Sequence, residues 1–583
     1  MKINSKTTYW GIIIGLIIWQ ILLTFQGLDL ADTGFQLTAF RFIFEDPYSV
    51  QYSMMFWLSD VFGSLWMHLC PWGGLYWARI AWVLAITLTL LVYLNMLKKI
   101  LHEWEALIGL AVTLIFILRG GPECLNYDIL TTFSYSLVIF FLYDGLLRNK
   151  SLTLFISGLI LGAAIFFKLS NVTGLFFLIL IPFYDYINTK NIRLLLQKCF
   201  WWILGLVIGS GSIIFLIYRV GHWKQFTENL HFVSQMGSDT DASHGFIPML
   251  NSYLLGYFNA IIMVLVASAI VIIYHSSRQR FSFLRSQKIS FFLLILISLL
   301  TFLLGILFKE AFWSKIRYLF IGLMIIQALL LVMDKHQSKQ LRLLSIAGII
   351  LLVVAPLGSD SGLEKSVWGM WILGPILISH FFQSLSCKIT HVQFSDVSHL
   401  FLKRSFINIL LISSVIYAWQ NTYFDKESRL KKMSPIDHPK MNCIYTSQKR
   451  AAVMNELIHD AFPLFTEKEY LLSFIEIPLL NYLSDKKPFI STSWPKLYYS
   501  PAMFKEKLDE ALQKRQKLPA IIRQKQNTTI YDWPSTYEIA YLNYPATLSK
   551  WSEHGKILNE FIHQNHYFVV WENEMFQLLI TRD

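Results

Sequence analysis

Apolar runs of about bilayer-crossing length recur thirteen times along this chain, and no other feature narrows its fold so far. A helix requires roughly 20 mostly apolar residues to traverse the hydrocarbon core, where each backbone polar group must be satisfied within the segment. Such runs lie near 9–28, 75–97, 104–119, 127–147, 152–167, 172–187, 199–218, 253–274, 289–308, 312–333, 341–356, 367–385 and 402–420. The chain is 55% hydrophobic with a mean hydropathy of +0.47, and only 15% of it is charged, against about 25% in ordinary globular chains. These features predict a polytopic α-helical membrane protein of about 13 spans over residues 1–420, followed by a soluble domain over 421–583. The first run is too long for a signal-peptide core and lacks a small-residue cleavage site, so it reads as a retained span.

Charge orients the spans, because short cytoplasmic loops concentrate Lys and Arg. Alternate loops do so: Lys2 and Lys6; Lys98 and Lys99; Arg148 and Lys150; Lys190, Arg193 and Lys198; Arg278, Arg280, Arg285 and Lys288; Lys335, Lys339 and Arg342; Lys388, Lys403 and Arg404. The pattern predicts a cytoplasmic N-terminus and, after an odd number of spans, a C-terminal domain on the outer face, as in a bacterial inner membrane. The formal charge of +12 is therefore a topology signal, and nucleic acid is not an expected partner. The five cysteines show no CxxC or CxxxC spacing, and neither a zinc site nor a disulfide framework is indicated.

The outer loops differ in kind from the basic ones. The first, 29–74, carries Asp29, Asp32, Glu45, Asp46 and Asp60 directly after a span. Met54, Trp57, Leu58, Val61, Phe62, Leu65 and Trp66 recur at three and four, the period of an amphipathic helix on the membrane surface. The apolar residues between Phe35 and Phe44 are more scattered and suit a second helix at the interface, with Pro47 and Tyr48 between the two. Ionisable residues near the membrane boundary are functional candidates by default. Equally, Asp32 can serve as an N-cap before GFQLTAF, and Asp46 as a turn residue before Pro47.

Several of these residues carry a resemblance. Asp32-Thr33-Gly34-Phe35 after the first span, Pro47-Tyr48 about a dozen residues on, and Arg79 in the second span resemble motifs of the GT-C superfamily of membrane glycosyltransferases. NYDILTTF (126–133), Lys168 with Asn171, and Arg317-Tyr318 extend the likeness. Members of that superfamily, such as protein mannosyltransferases and the lipid A aminoarabinose transferases, use sugars linked to polyprenyl phosphate. The resemblance implies a GT-C-like fold with an outer C-terminal domain. It also implies an inverting transferase with Asp32 as general base, a polyprenyl-phosphate sugar donor, a glycan, lipid or protein acceptor, and membrane lipid around it. The chain departs from the pattern at Thr33, where the family has a second acidic residue. Asp60 or Asp128 would then have to supply that carboxylate.

The chemistry requires a carboxylate to take the acceptor's proton and cations to stabilise the departing phosphate. Lys168, Lys309, Lys315, Arg317 and Lys365 fall on the outer face by topology, and Arg is the better clamp because its planar fork binds two oxygens. The same Lys315 and Arg317 suit ordinary interface anchors. If the catalytic account holds, Asp32, Lys168 and Arg317 must converge on one cavity. The turn GSDSGLEK (358–365), with Ser359 and Asp360, has the composition of an anion-cradling nest and equally of a tight loop. In the second long outer loop, His222, His231, Asp239, Asp241 and His244 lack metal-motif spacing, so no metal site is assigned, although some members of the superfamily use a divalent cation. Two other functions fit a many-span chain: a flippase or transporter for lipid-linked sugars, and a non-catalytic GT-C-like assembly subunit.

Beyond residue 421, short apolar runs at 470–475, 488–492, 519–524, 567–573 and 576–582 alternate with amphipathic stretches such as SPAMFKEKLDEALQKRQ. That alternation predicts a small α/β domain closed by a hairpin at Glu574-Met575. It has no Gly-rich nucleotide fingerprint.

Overall fold

The structure, a computed structural model, describes residues 5–118, 123–188, 190–238, 246–357, 362–388, 396–425, 427–529, 533–534 and 550–581. All thirteen apolar runs are helical within it, from Ser5–Thr24 to Asp396–Gln420. Among the described residues eight helices are long and apolar enough to cross a membrane. One of them, Gln287–Met333, is 47 residues long, about 70 Å at 1.5 Å per residue and more than twice the hydrocarbon thickness. It contains two of the expected spans, and the chain breaks between them at Lys309, whose φ of 44° and ψ of −120° are not helical.

The membrane helices pack mostly through Leu, Ile, Phe and Trp, with one crossing of a different kind. Gly158 and Gly162 on helix Ser151–Ala164 face Gly205 and Gly209 on helix Ile192–Arg219. A Cβ on Gly158 would lie 1.9 Å from the Trp202 carbonyl oxygen, and one on Gly205 would lie 2.0 Å from that of Phe155. Backbones this close gain van der Waals contact that lipid tails cannot offer, the usual basis of small-xxx-small pairing in membranes. The crossing anchors the helix whose end leads into Lys168.

The C-terminal region carries a five-stranded sheet in the order Lys487–Pro488, Tyr470–Phe474, Ala520–Gln524, Phe576–Thr581, Tyr567–Glu572. The first three strands are parallel, and the last two form the expected antiparallel hairpin. The run at 488–492 yields only a two-residue strand. Helices Pro501–Arg515 and Lys550–Gln564 accompany the sheet, the first capped by the Ser500 hydroxyl.

The segment 29–74 joins the two parts. Helix Trp57–Leu69 leaves Phe62, Leu65 and Leu69 exposed, as a surface helix requires. Helix Asp32–Phe42 departs from the expectation of an interfacial helix. It is buried along nearly its whole length beneath the C-terminal region, with the Leu479 N–H donating to the Leu30 carbonyl at 3.0 Å and the Thr38 hydroxyl to that of Pro478 at 2.9 Å. Burial on all sides explains why its apolar residues form no single stripe. At Gly34 a Cβ would meet the Leu479 backbone nitrogen at 2.1 Å, so only glycine permits this approach.

The junction is pinned by a fully buried ionic cluster. Asp425 pairs with Arg450 and, at 3.2 Å, with Lys432, and accepts from the Leu28 N–H at 3.0 Å and the Thr446 hydroxyl at 2.9 Å. Arg79 ties down the end of the first span, donating to the carbonyls of Thr24 at 2.5 Å and Gly27 at 2.8 Å.

Candidate active site

Asp32 opens its helix, but the side chain that caps it is that of Asp29, two residues before the N-cap Ala31. The Asp29 carboxylate accepts from the Ala31 N–H at 2.9 Å and the Thr33 N–H at 2.7 Å, which satisfies the otherwise orphaned first amides of the helix. Asp32 is thereby left to face a cavity of about 110 Å³. The Tyr423 hydroxyl donates to Asp32 Oδ2 at 2.5 Å across 391 positions of sequence. Gln36, one turn further along, lines the same cavity, and its Oε1 is buried without a hydrogen-bond partner among the described residues.

Opposite stands Asp128, in the first turn of helix Tyr127–Arg148, itself capped by Asn126. One Asp128 oxygen accepts from Lys168 Nζ at 3.2 Å and the other from Lys365 Nζ. The Lys168 ammonium also lies 5.0 Å above the Tyr127 ring and 5.8 Å from that of Trp368. Two ammonium groups on one carboxylate leave a net positive charge. With side-chain exposures of 11% and 19% for Lys168 and Asp128, the pair is enclosed enough for that charge to act at effective dielectric values well below water. Lys168 is held by its neighbours: the Leu58 N–H donates to the Phe166 carbonyl and the Ser59 hydroxyl to the Phe167 carbonyl, each at 2.9 Å. The deeper wall is apolar, formed by Trp82, Ile86, Ile117, Trp368 and Trp371 from the membrane helices.

The carboxylates are tuned by this setting. Burial and the Asp32 charge push the Asp29 carboxyl up to about 7. Asp32 is also raised, by desolvation first and by the charges of Asp128 and Glu476, while the Tyr423 hydroxyl and the Lys365 ammonium pull it back. Glu476 arrives from the C-terminal region, just past the carboxyl end of strand Tyr470–Phe474. It pairs with Lys496 at 2.8 Å and accepts from the Thr529 hydroxyl at 2.8 Å.

Asp32, Asp128 and Lys365 therefore line one cavity, and Lys168 reaches it through Asp128. The others lie elsewhere. Asp60 is wholly buried in helix Trp57–Leu69, hydrogen-bonded to Ser53. Burial raises its carboxyl well above the usual range. Arg317 is buried with its guanidinium 5.0 Å from the Trp313 ring and 5.5 Å from that of Tyr318, and does not line the cavity. Lys309 is exposed at the helix break, and Lys315 is exposed with Nζ 3.0 Å from Asn259 Oδ1. Ser359 and Asp360 fall outside the described residues, as do Asp239, Asp241 and His244. Convergence thus includes Asp32 and Lys168 but not Arg317. Among the described residues no three His, Cys, Asp or Glu side chains gather as a metal would require.

No protein-family model and no curated protein matches the chain at the level of sequence. Comparison of folds does find a relation. The crystal structure of ArnT from Cupriavidus metallidurans bound to undecaprenyl phosphate superposes with a TM-score of 0.51 at 10% identity, over 98% of this chain and 97% of that one. The chain shares the overall fold of that ArnT. The apo form of the same ArnT aligns over 99% of this chain at 9% identity with a TM-score of 0.49. Tyr423, which lines the cavity, and Asp29, which caps the Asp32 helix, were not among the site residues singled out from the sequence. Asp29 is visible in sequence as a carboxylate three residues before Asp32, whereas nothing near Tyr423 in sequence marks it.

Proposed function

We propose that this protein transfers a sugar from a polyprenyl-phosphate-linked donor to a glycan, lipid or protein acceptor at the outer face of the membrane. The observation that carries this reading is the single cavity in which Asp32, held by Tyr423, faces the Asp128–Lys168–Lys365 cluster above an apolar membrane-helix wall. The undecaprenyl phosphate bound by ArnT agrees with the apolar wall. In the proposed inverting reaction Asp32 takes the proton from the acceptor hydroxyl or amine. The acceptor forms a bond to the anomeric carbon as the bond from that carbon to the phosphate oxygen breaks. Lys168 and Lys365 share the charge of the departing lipid phosphate, with Asp128 orienting both ammonium groups. Asp29 stands beside Asp32 as the second carboxylate in place of Thr33. The alternating basic loops support a cytoplasmic N-terminus and an outer C-terminal domain in a bacterial inner membrane.

The test is Asp32→Asn in purified protein supplied with a polyprenyl-phosphate-linked sugar and a glycolipid fraction from the same cells. Loss of a general base is expected to lower the rate by about 10² to 10⁴, with donor binding retained. Full transfer by the variant removes Asp32 from the mechanism.

A further inference from the structure

A second cleft, of about 660 Å³, opens between the segment 29–74, helix Trp223–Ser238 and helix Pro501–Arg515 of the C-terminal region. Its size is in the range of roughly 300–1,000 Å³ typical of small-ligand sites. Its rim carries Glu228, Glu506 and Glu510 with Lys507; Glu510 pairs with Lys507 at 2.6 Å and Glu228 with Lys224 at 3.9 Å. Tyr52 and Tyr499 form its aromatic side.

One observation points to a ligand. Asn229 is 2% exposed and lines the cleft, donating through Nδ2 to the Tyr52 carbonyl at 3.2 Å, while its Oδ1 has no hydrogen-bond partner among the described residues. A buried acceptor left open is costly until a donor reaches it. Packed aromatic rings separate the cleft from the Asp32 cavity. Tyr52 and Phe56 both pack on Phe35, one turn after Asp32, at 6.5 Å, and Phe56 stacks on Tyr127 of the cavity lining at 4.0 Å.

The exposed Glu506 carboxylate and the Asn229 amide oxygen are acceptors that suit the hydroxyl and amine donors of sugars. We propose that this cleft binds a neutral or amine-bearing saccharide segment of the acceptor. The proposal rests on the sugar-transferase reading and names the acceptor's chemistry within it.

Binding of oligosaccharide probes to the full-length protein in detergent, by isothermal titration calorimetry, tests it independently of turnover. Chito-oligosaccharides and their de-N-acetylated amine forms are expected to bind, and oligogalacturonates are not. Glu228→Gln and Glu506→Gln, both at exposed rim positions, are each expected to weaken binding of the amine forms about tenfold, the loss of one charged hydrogen bond. Asp32→Asn is expected to bind as the parent does. The proposal is overturned if no saccharide binds, if the acidic probe binds best, if a lysine-rich peptide competes for the site more tightly than the sugars, or if the rim variants leave affinity unchanged. Saccharide binding that responds to the rim in a protein without transferase activity would overturn the proposed reaction and leave the cleft standing.

Discussion

Tyr423→Phe isolates the one contact that tunes Asp32 without removing it. The hydroxyl donates to Asp32 Oδ2 at 2.5 Å, and it is the leading influence that opposes the desolvation raising that carboxyl. A hydrogen bond to a charged group contributes roughly 1.5–3 kcal/mol, equivalent to about one to two pKa units. The cavity is accessible enough for water to recover part of this, so a rise of about one unit is expected. A general base acts deprotonated, and activity falls as pH drops through its pKa. The acidic limb of kcat/KM should therefore move to higher pH by about one unit in the variant, while the alkaline plateau stays close to that of the parent. Single-turnover sugar transfer from a polyprenyl-phosphate donor, measured from about pH 5 to about pH 9, reads the limb directly. A limb that stays in place or moves to lower pH would refute the assignment of Asp32 as the titrating base, and so would a uniform loss at every pH.

Asp29→Asn removes a carboxyl that burial and the Asp32 charge keep neutral below about 7. It also has a stability signature. The folded-state pKa of about 7 lies above the unfolded value, so the contribution of neutral Asp29 is full below about 3.9 and is lost as pH rises through about 7. Thermal unfolding should show the variant gaining on the parent between pH 5 and pH 8, by roughly 1–3 kcal/mol at the upper end once the lost half of the cap is counted. Gly34→Ala drives a methyl into the Leu479 backbone; an overpacking penalty of about 1–3 kcal/mol should lower the melting temperature and make the C-terminal region more sensitive to limited proteolysis. Ser59→Ala removes the hydroxyl that holds the Phe167 carbonyl next to Lys168, a loss of about 1 kcal/mol; KM for the lipid donor should rise several-fold with a smaller change in kcat.

Legibility in the sequence followed the range of the forces involved. Hydrophobic runs and alternating basic loops are local, and each of the thirteen expected spans proved to be helical. The five strands and the final hairpin were likewise readable from composition and turn residues. The helix at Asp32 was readable as a helix but not in its surroundings, because the pattern of a helix buried on all sides resembles an irregular interfacial one. Its cap was also misplaced: an Asp32 N-cap would accept from the amide of Gly34 or Phe35, whereas Asp29, three positions earlier, accepts from those of Ala31 and Thr33. The glycine spacing at 158–162 and 205–209 was present in the sequence as a signal of close helix packing.

The cations divide along the same line. Lys168, Lys309, Lys315, Arg317 and Lys365 are alike in sequence, since each stands near the end of an apolar run on one side of the bilayer. Hydropathy and charge place them at a depth, and depth says nothing of direction around a helix. Lys168 and Lys365 meet because helix Tyr127–Arg148 presents Asp128 between them, and Arg317 is turned onto Trp313 and Tyr318 instead. The number, length and charge asymmetry of the spans need only the contest between lipid and water, which each segment meets on its own. Which carboxylate meets which ammonium, and that Tyr423 returns 391 positions along the chain to Asp32, depends on how helices rotate and pack, and that is decided only when the whole chain is assembled.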